Sequence, residues 1–176
     1  MTKKQAIVGI AILLVLGLVC WLPARAVIAG WHMHRGFTLA HSGDYPGAVS
    51  EERVAVQLTP GSALAHNNLA WYLYKSGDFA EALPESREAL RINAHDAYSH
   101  DTLGAILSHM GQYPEAIQQC REAVRLRPSA THRNTLAYAL YKGGHKEEAQ
   151  MQWQQSVATG SFADSEEARK MLAQYH

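Results

Sequence analysis

Cysteine is scarce in this chain, which has two in 176 residues. Cys20 stands in an apolar run and Cys120 on a predicted helix, so neither joins a Cys-x-x-Cys metal pair and no structural disulfide between them is expected. Cys120 falls at a core-facing position, where a thiol acts as a small hydrophobe. A surplus of positive charge is missing too: Lys plus Arg equals Asp plus Glu at 16 each. Nothing is left over to hold a phosphate backbone by counterion release, which argues against nucleic acid as a partner. Also lacking are a Gly-x-Ser-x-Gly elbow, a His-Glu-x-x-His pair and a glycine-rich phosphate loop. No catalytic residue, cofactor or enzymatic activity is therefore expected.

What is present suits a folded chain. Hydrophobic residues make up 47%, enough for one compact domain and a short appendage. The appendage is residues 1–28. Ala6 to Leu22 carry no charge, behind Lys3 and Lys4 and ahead of Arg25. A run of that length is near the lower limit for crossing a bilayer, and the lysines bias the N-terminus to the cytoplasm. The expectation is a single-pass anchor in the cell (inner) membrane with the domain outside the cytoplasm, in the periplasm of a Gram-negative host. The alternative is a secreted or periplasmic chain cleaved near Ala26, since Ala24-Arg25-Ala26 has the small-x-small form of a signal-peptidase site. A lipoprotein reading through Cys20 is weakened by Val19, which is not the small residue usual before the cysteine.

From residue 63 to 94 the chain reads as two amphipathic helices joined at Gly77-Asp78. Leu69, Ala70 and Leu73 recur on the first, and Ala82, Ala89, Leu90 and Ile92 on the second. Neither stripe can make a core alone, and the chain supplies neighbours by repetition. Gly43, Gly77, Gly111 and Gly144 come into register at spacings of 34, 34 and 33. The same shift aligns Leu39, Leu73, Leu107 and Leu140. It aligns Gly36, Ala70, Gly104 and Ala137, where helices must approach closely, and Ala48, Ala82, Ala116 and Ala149 on the second helices. Tyr45, Phe79 and Tyr113 follow the turn, and Lys146 breaks that column. Pro60 and Pro128 close the second helices of units one and three. Asp44 and Asp78 are expected to cap second helices with their side chains. Pro46 and Pro114 fit a first turn, while Pro84, deeper in its helix, predicts a bend.

This pattern resembles the tetratricopeptide repeat. The resemblance implies an all-α solenoid of four helix-turn-helix repeats over residues 29–163, at about 29–62, 63–96, 97–129 and 130–163. A C-terminal capping helix over 164–176 would close it, opened by Asp164-Ser165-Glu166-Glu167. His32, His66, His100 and Arg133 replace the tryptophan usual near the start of the motif. Unit four is one residue short, with Ser156 for an alanine, and should pack least regularly. In the family, first helices line a groove. By register the groove would carry Met33 and Phe37 in unit one and Asn67, Trp71, Tyr74 and Lys75 in unit two. Unit three would add Asp101, Ala105, Ser108 and His109, and unit four Asn134, Tyr138, Tyr141 and Lys142. Asparagine amides can hold a peptide backbone and aromatics supply rigid anchors. The implied role is a scaffold or assembly factor of the cell envelope that binds a protein or peptide segment. Met33, Phe37 and Tyr98 stand where the family's carboxylate clamp would be, which argues against that ligand.

Two other readings stay open: docking through the edges or convex face, and a metal- or proton-responsive module using the ten histidines. Geometry argues against shared zinc. Histidines one repeat apart sit on helices about 8–10 Å from each other, too far for bonds of about 2 Å. His32-x-His34 points two ways on a helix, and His95 and His100 straddle a helix start. The column is therefore expected to be half-buried packing histidines. The pairs Glu51-Glu52, Glu147-Glu148 and Glu166-Glu167 read as solvated helix faces.

Overall fold

The computed structural model describes residues 24–161 and 166–174. Nearly all of the expected anchor, and the capping pair Asp164-Ser165, lie outside these residues. Among the described residues no helix is long and apolar enough to cross a membrane. All regular structure among them is helical: α1 includes residues 24–41, followed by α2 (Tyr45–Leu58), α3 (Ala63–Ser76), α4 (Phe79–Ile92), α5 (Ala97–His109), α6 (Tyr113–Leu126), α7 (Ala130–Lys142), α8 (Lys146–Thr159) and α9 (Glu166–Gln174).

The chain divides into two compact units, Met1–Gly61 and Ser62–His176. In the first, α1 and α2 form one antiparallel hairpin, tied by Arg25 to the Gln57 carbonyl and by His32 to Glu51. In the second, α3–α4, α5–α6 and α7–α8 form three hairpins, with α9 against α8. There the first helices also meet one another, α3 with α5 and α5 with α7, and make a row.

The turn glycines do what the period implies. Gly43, Gly77, Gly111 and Gly144 have φ of 87°, 92°, 77° and 90°, a region closed to most side chains. The next residue's N–H then returns to the aligned leucine carbonyl: Asp78 to Leu73, Gln112 to Leu107 and His145 to Leu140, each at 2.9 Å. The leucine column thus stops each first helix with its carbonyl. Leu73, Leu107 and Leu140 also fill the core, and burying each contributes about 1.5–3 kcal/mol.

Helix starts follow a rule the sequence reading only half found. Each first helix of the second unit has a side-chain cap: Ser62 accepts from Ala65 N, Asp96 from Ser99 N and Ser129 from His132 N. Among the second helices, Asp44 caps α2 by accepting from Gly47 N at 2.9 Å. Asp78 does not cap α4. Its carboxylate accepts instead from the Ser76 hydroxyl at 3.5 Å, and no α4 amide bonds to it. α4 continues through Pro84 without a break.

The histidine column is half-buried to buried, and it has partners. His32 bonds Glu51 at 2.7 Å, His66 bonds Glu85 at 2.6 Å, His100 bonds Gln119 at 2.7 Å, and Arg133 bonds Gln152 at 3.2 Å. Each rung joins the two helices of one hairpin. Glu51 is therefore not a solvated face, and Arg35 lies 3.4 Å from its other oxygen. Glu52 is fully buried, in the column that Ser86, Cys120 and Trp153 fill in later repeats. That column faces the small-residue column. A Cβ built on Gly36 would come within 3.2 Å of Glu52 Oε2, and one on Gly104 within 2.3 Å of Cys120 Sγ. In unit four the column ends in buried Trp153, and Ser156 replaces its alanine by donating to the Ala130 carbonyl at 3.2 Å.

Candidate functional site

The row of first helices in the second unit leaves a cavity of about 430 Å³. α3 lines it with Trp71, Tyr74 and Lys75, α5 with Asp101, Ala105 and His109, α7 with Thr131, Asn134, Thr135 and Tyr138, and α9 with Glu167. Helical spacing explains the set, since residues three and four apart share a face: Trp71, Tyr74 and Lys75, then Asp101, Ala105 and His109, then Thr131, Thr135 and Tyr138.

Rings run across it. Trp71 stacks on Tyr74 with centroids 5.2 Å apart, Tyr74 meets the edge of His109 at 5.0 Å, and His109 stacks on Tyr138 at 5.5 Å. His109 is held by a bond from its Nδ1 to the Ala105 carbonyl at 3.1 Å. Lys75 Nζ lies 5.5 Å from the Trp71 ring and Lys142 Nζ lies 5.9 Å from the Tyr138 ring. Each is one turn beyond its aromatic, so the resemblance between units two and four extends to a shared cation–π geometry.

The electrostatics lean negative. Burial comes first in pushing the Tyr74 phenol up to about 12, followed by Tyr138, Glu167 and Asp101. Asp101 is 8% exposed. Its Oδ1 makes no hydrogen bond among the described residues, although His132 Nδ1 stands 3.3 Å away. His132 is buried under the edge of Tyr98. Cys120, behind α5, is a buried thiol whose pKa burial raises well above its ordinary value.

Of the groove residues read from the sequence, Trp71, Tyr74, Lys75, Asp101, Ala105, His109, Asn134 and Tyr138 meet at this cavity. Asn67 is 8% exposed and Ser108 1%, so both are packed into the interior. Tyr141 turns to a smaller hollow of about 300 Å³ with Trp153, Lys146, Glu147, Gln150 and Leu172. Lys142 stays over Tyr138, outside the lining. Met33 and Phe37 belong to the first unit and do not line this cavity; Phe37 is exposed and stacks on His41. The sequence reading missed Thr131, Thr135 and Glu167. The threonines share the Tyr138 face at spacings of four and three, a signal that was available. Glu167 had none, because α9 lies outside the repeat period. Among the described residues no group of three or more His, Cys, Asp or Glu could hold a metal ion.

Comparison with known proteins agrees with the hairpins. A model of the tetratricopeptide repeat matches residues 55–97, 67–131 and 102–166, together more than half the chain. Among curated proteins no match is found. Among solved structures, MamA from Desulfovibrio magneticus RS-1 is similar with a TM-score of 0.65 and 21% identity, over 74% of each chain. YrrB, described as a TPR protein with an unusual peptide-binding site, is similar with a TM-score of 0.62 and 18% identity, over 74% of this chain and 68% of its own. An O-GlcNAc transferase from Thermobaculum terrenum is similar with a TM-score of 0.71 and 20% identity, over 76% of this chain but only 26% of the transferase. With its glycine turns, leucine stops and stacked hairpins, this chain belongs to the tetratricopeptide repeat family.

Proposed function

We propose that this protein is a non-catalytic interaction module that binds a segment of a protein partner in the groove formed by α3, α5 and α7. The carrying observation is the row Trp71, Tyr74, His109 and Tyr138, which lines a cavity large enough for a side chain and its backbone. Trp71 is 38% exposed, an aromatic left partly in water where a partner would cover it. The peptide-binding site in the description of YrrB adds weight to the same reading. On this proposal the uncharged run Ala6–Leu22 anchors the chain in the inner membrane, and the array works outside the cytoplasm as a scaffold or assembly factor of the envelope.

A photocrosslinking amino acid at Thr135, in the groove, and at Arg87, on a second helix, tests the reading. Partner crosslinks from position 135 that disappear with Trp71→Ala and Tyr138→Ala are expected. Crosslinks from position 87 alone would refute the groove. They would favour docking by other faces, a reading that the exposed Val27, Trp31 and Phe37 of α1, at 74%, 56% and 59%, also support.

A further inference from the structure

Resting on the groove reading, we propose that the cavity is the receptor for one basic side chain of the partner, arginine before lysine, with its charge met by Asp101 and Glu167 and its flat group held among the rings of Trp71, Tyr74 and Tyr138. Three independent observations converge on that occupant.

The first is charge. The lining holds two carboxylates and one ammonium, and the ammonium already rests over the Trp71 ring. An acidic or C-terminal carboxylate ligand would face like charge, whereas a cation completes the set. The field at Tyr74, where both carboxylates oppose formation of a phenolate, has the same sign.

The second is Asp101 itself. A carboxylate on a side chain only 12% exposed is costly without full hydrogen bonding. Oδ1 is shut away beside His132 at 3.3 Å without a hydrogen bond, which leaves the other carboxylate oxygen as the acceptor that faces the cavity. A guanidinium brings five donors in a rigid fork and satisfies such an acceptor better than water in a narrow cavity.

The third is the walls. Aromatic faces attract cations, and a planar guanidinium stacks on them, which an ammonium cannot do. The threonine hydroxyls of α7 add acceptors; Thr135 donates to the Thr131 carbonyl at 3.3 Å and leaves its oxygen lone pairs for a ligand. An aliphatic side chain would leave the buried Asp101 carboxylate unanswered.

The test uses the full chain in nonionic detergent, labelled with fluorotryptophan, with the Trp71 resonance assigned by its loss in Trp71→Phe. It is titrated with the blocked amino acids N-acetyl-arginine methylamide, the citrulline analogue of the same shape without charge, and N-acetyl-glutamate methylamide. Saturable movement of the Trp71 signal by the arginine probe is expected, about tenfold weaker with citrulline, and about tenfold weaker again in Asp101→Asn, a loss typical of one charge-assisted contact. Glu167→Gln, on the exposed face of α9, supplies the same comparison without touching a buried group. Equal response to arginine and citrulline would overturn the charge assignment while leaving the groove reading intact. So would tighter binding of the glutamate probe, or no response to any probe alongside groove crosslinks from position 135. Loss of those crosslinks is the separate failure of the groove itself.

Discussion

Gly104→Ala offers the sharpest test of how the hairpins close. A methyl placed there would sit 2.3 Å from Cys120 Sγ and 3.3 Å from both Ala116 O and Cys120 N. Comfortable contact needs about 3.5–4.0 Å, so the sulfur must retreat by more than 1 Å. Cys120 is fully buried and has nowhere to go without moving α6 against α5. Overpacking of that kind costs about 1–3 kcal/mol. Replacing a mid-helix glycine by alanine returns about 1 kcal/mol of backbone entropy. The single variant should therefore lose about 1 kcal/mol or slightly more. In a Cys120→Ala background the sulfur is gone and two contacts at 3.3 Å remain, so the same substitution should be neutral or mildly stabilising, a coupling of about 1–2 kcal/mol. Urea unfolding of the four proteins of this cycle, followed by far-ultraviolet circular dichroism, measures it. If Gly104→Ala has one effect regardless of what stands at 120, the close approach of α5 and α6 is not what excludes a side chain there.

The rung from His66 to Glu85 predicts a second cycle: each single change to alanine should lower stability by about 1–2 kcal/mol, because it removes a largely buried polar bond between α3 and α4. Replacing both by leucine should lose less than the sum, and strict additivity in thermal unfolding would refute the rung. Tyr74 predicts a dependence on alkaline pH. Its folded pKa of about 12 lies above the ordinary 10, so the unfolded state gives up this proton first. The contribution is fully present below pH 10 and is lost as pH rises to 12; Tyr74→Phe should flatten that limb, and absorbance at 295 nm should show one phenol of the native chain titrating late.

The fold was legible because its determinants repeat. Glycine turns, leucine stops and small-residue contacts recur at one period, and a period survives the loss of any single position, as at Lys146. The polar rungs were half legible. The donors at 32, 66, 100 and 133 stood out, but their acceptors Glu51, Glu85, Gln119 and Gln152 form a column too, and it reads as an ordinary wet face because it is acid in two units and amide in the other two. Glu52 escaped for a related reason: beside Glu51 it looked like one of a solvated pair, although its period assigns it to the core with Cys120 and Trp153. Asp78 had the right residue at the right place, yet its carboxylate turned to Ser76, a choice set by local rotamers that no spacing records. Register found the ring row through the duplicated aromatic, tyrosine and lysine of units two and four. It could not decide that Asn67 turns inward or that Tyr141 faces a different hollow, since neighbours one turn apart differ only by packing.

The rungs have a consequence for how such a chain can change length. Donor and acceptor lie 19 residues apart within one hairpin, so any stretch of one period holds one donor and one acceptor, whether or not the two are mates. A gene that gains or loses a whole repeat therefore leaves every donor with an acceptor 19 residues on. The histidine column lets the array grow or shrink by one hairpin and still seal each new copy from within.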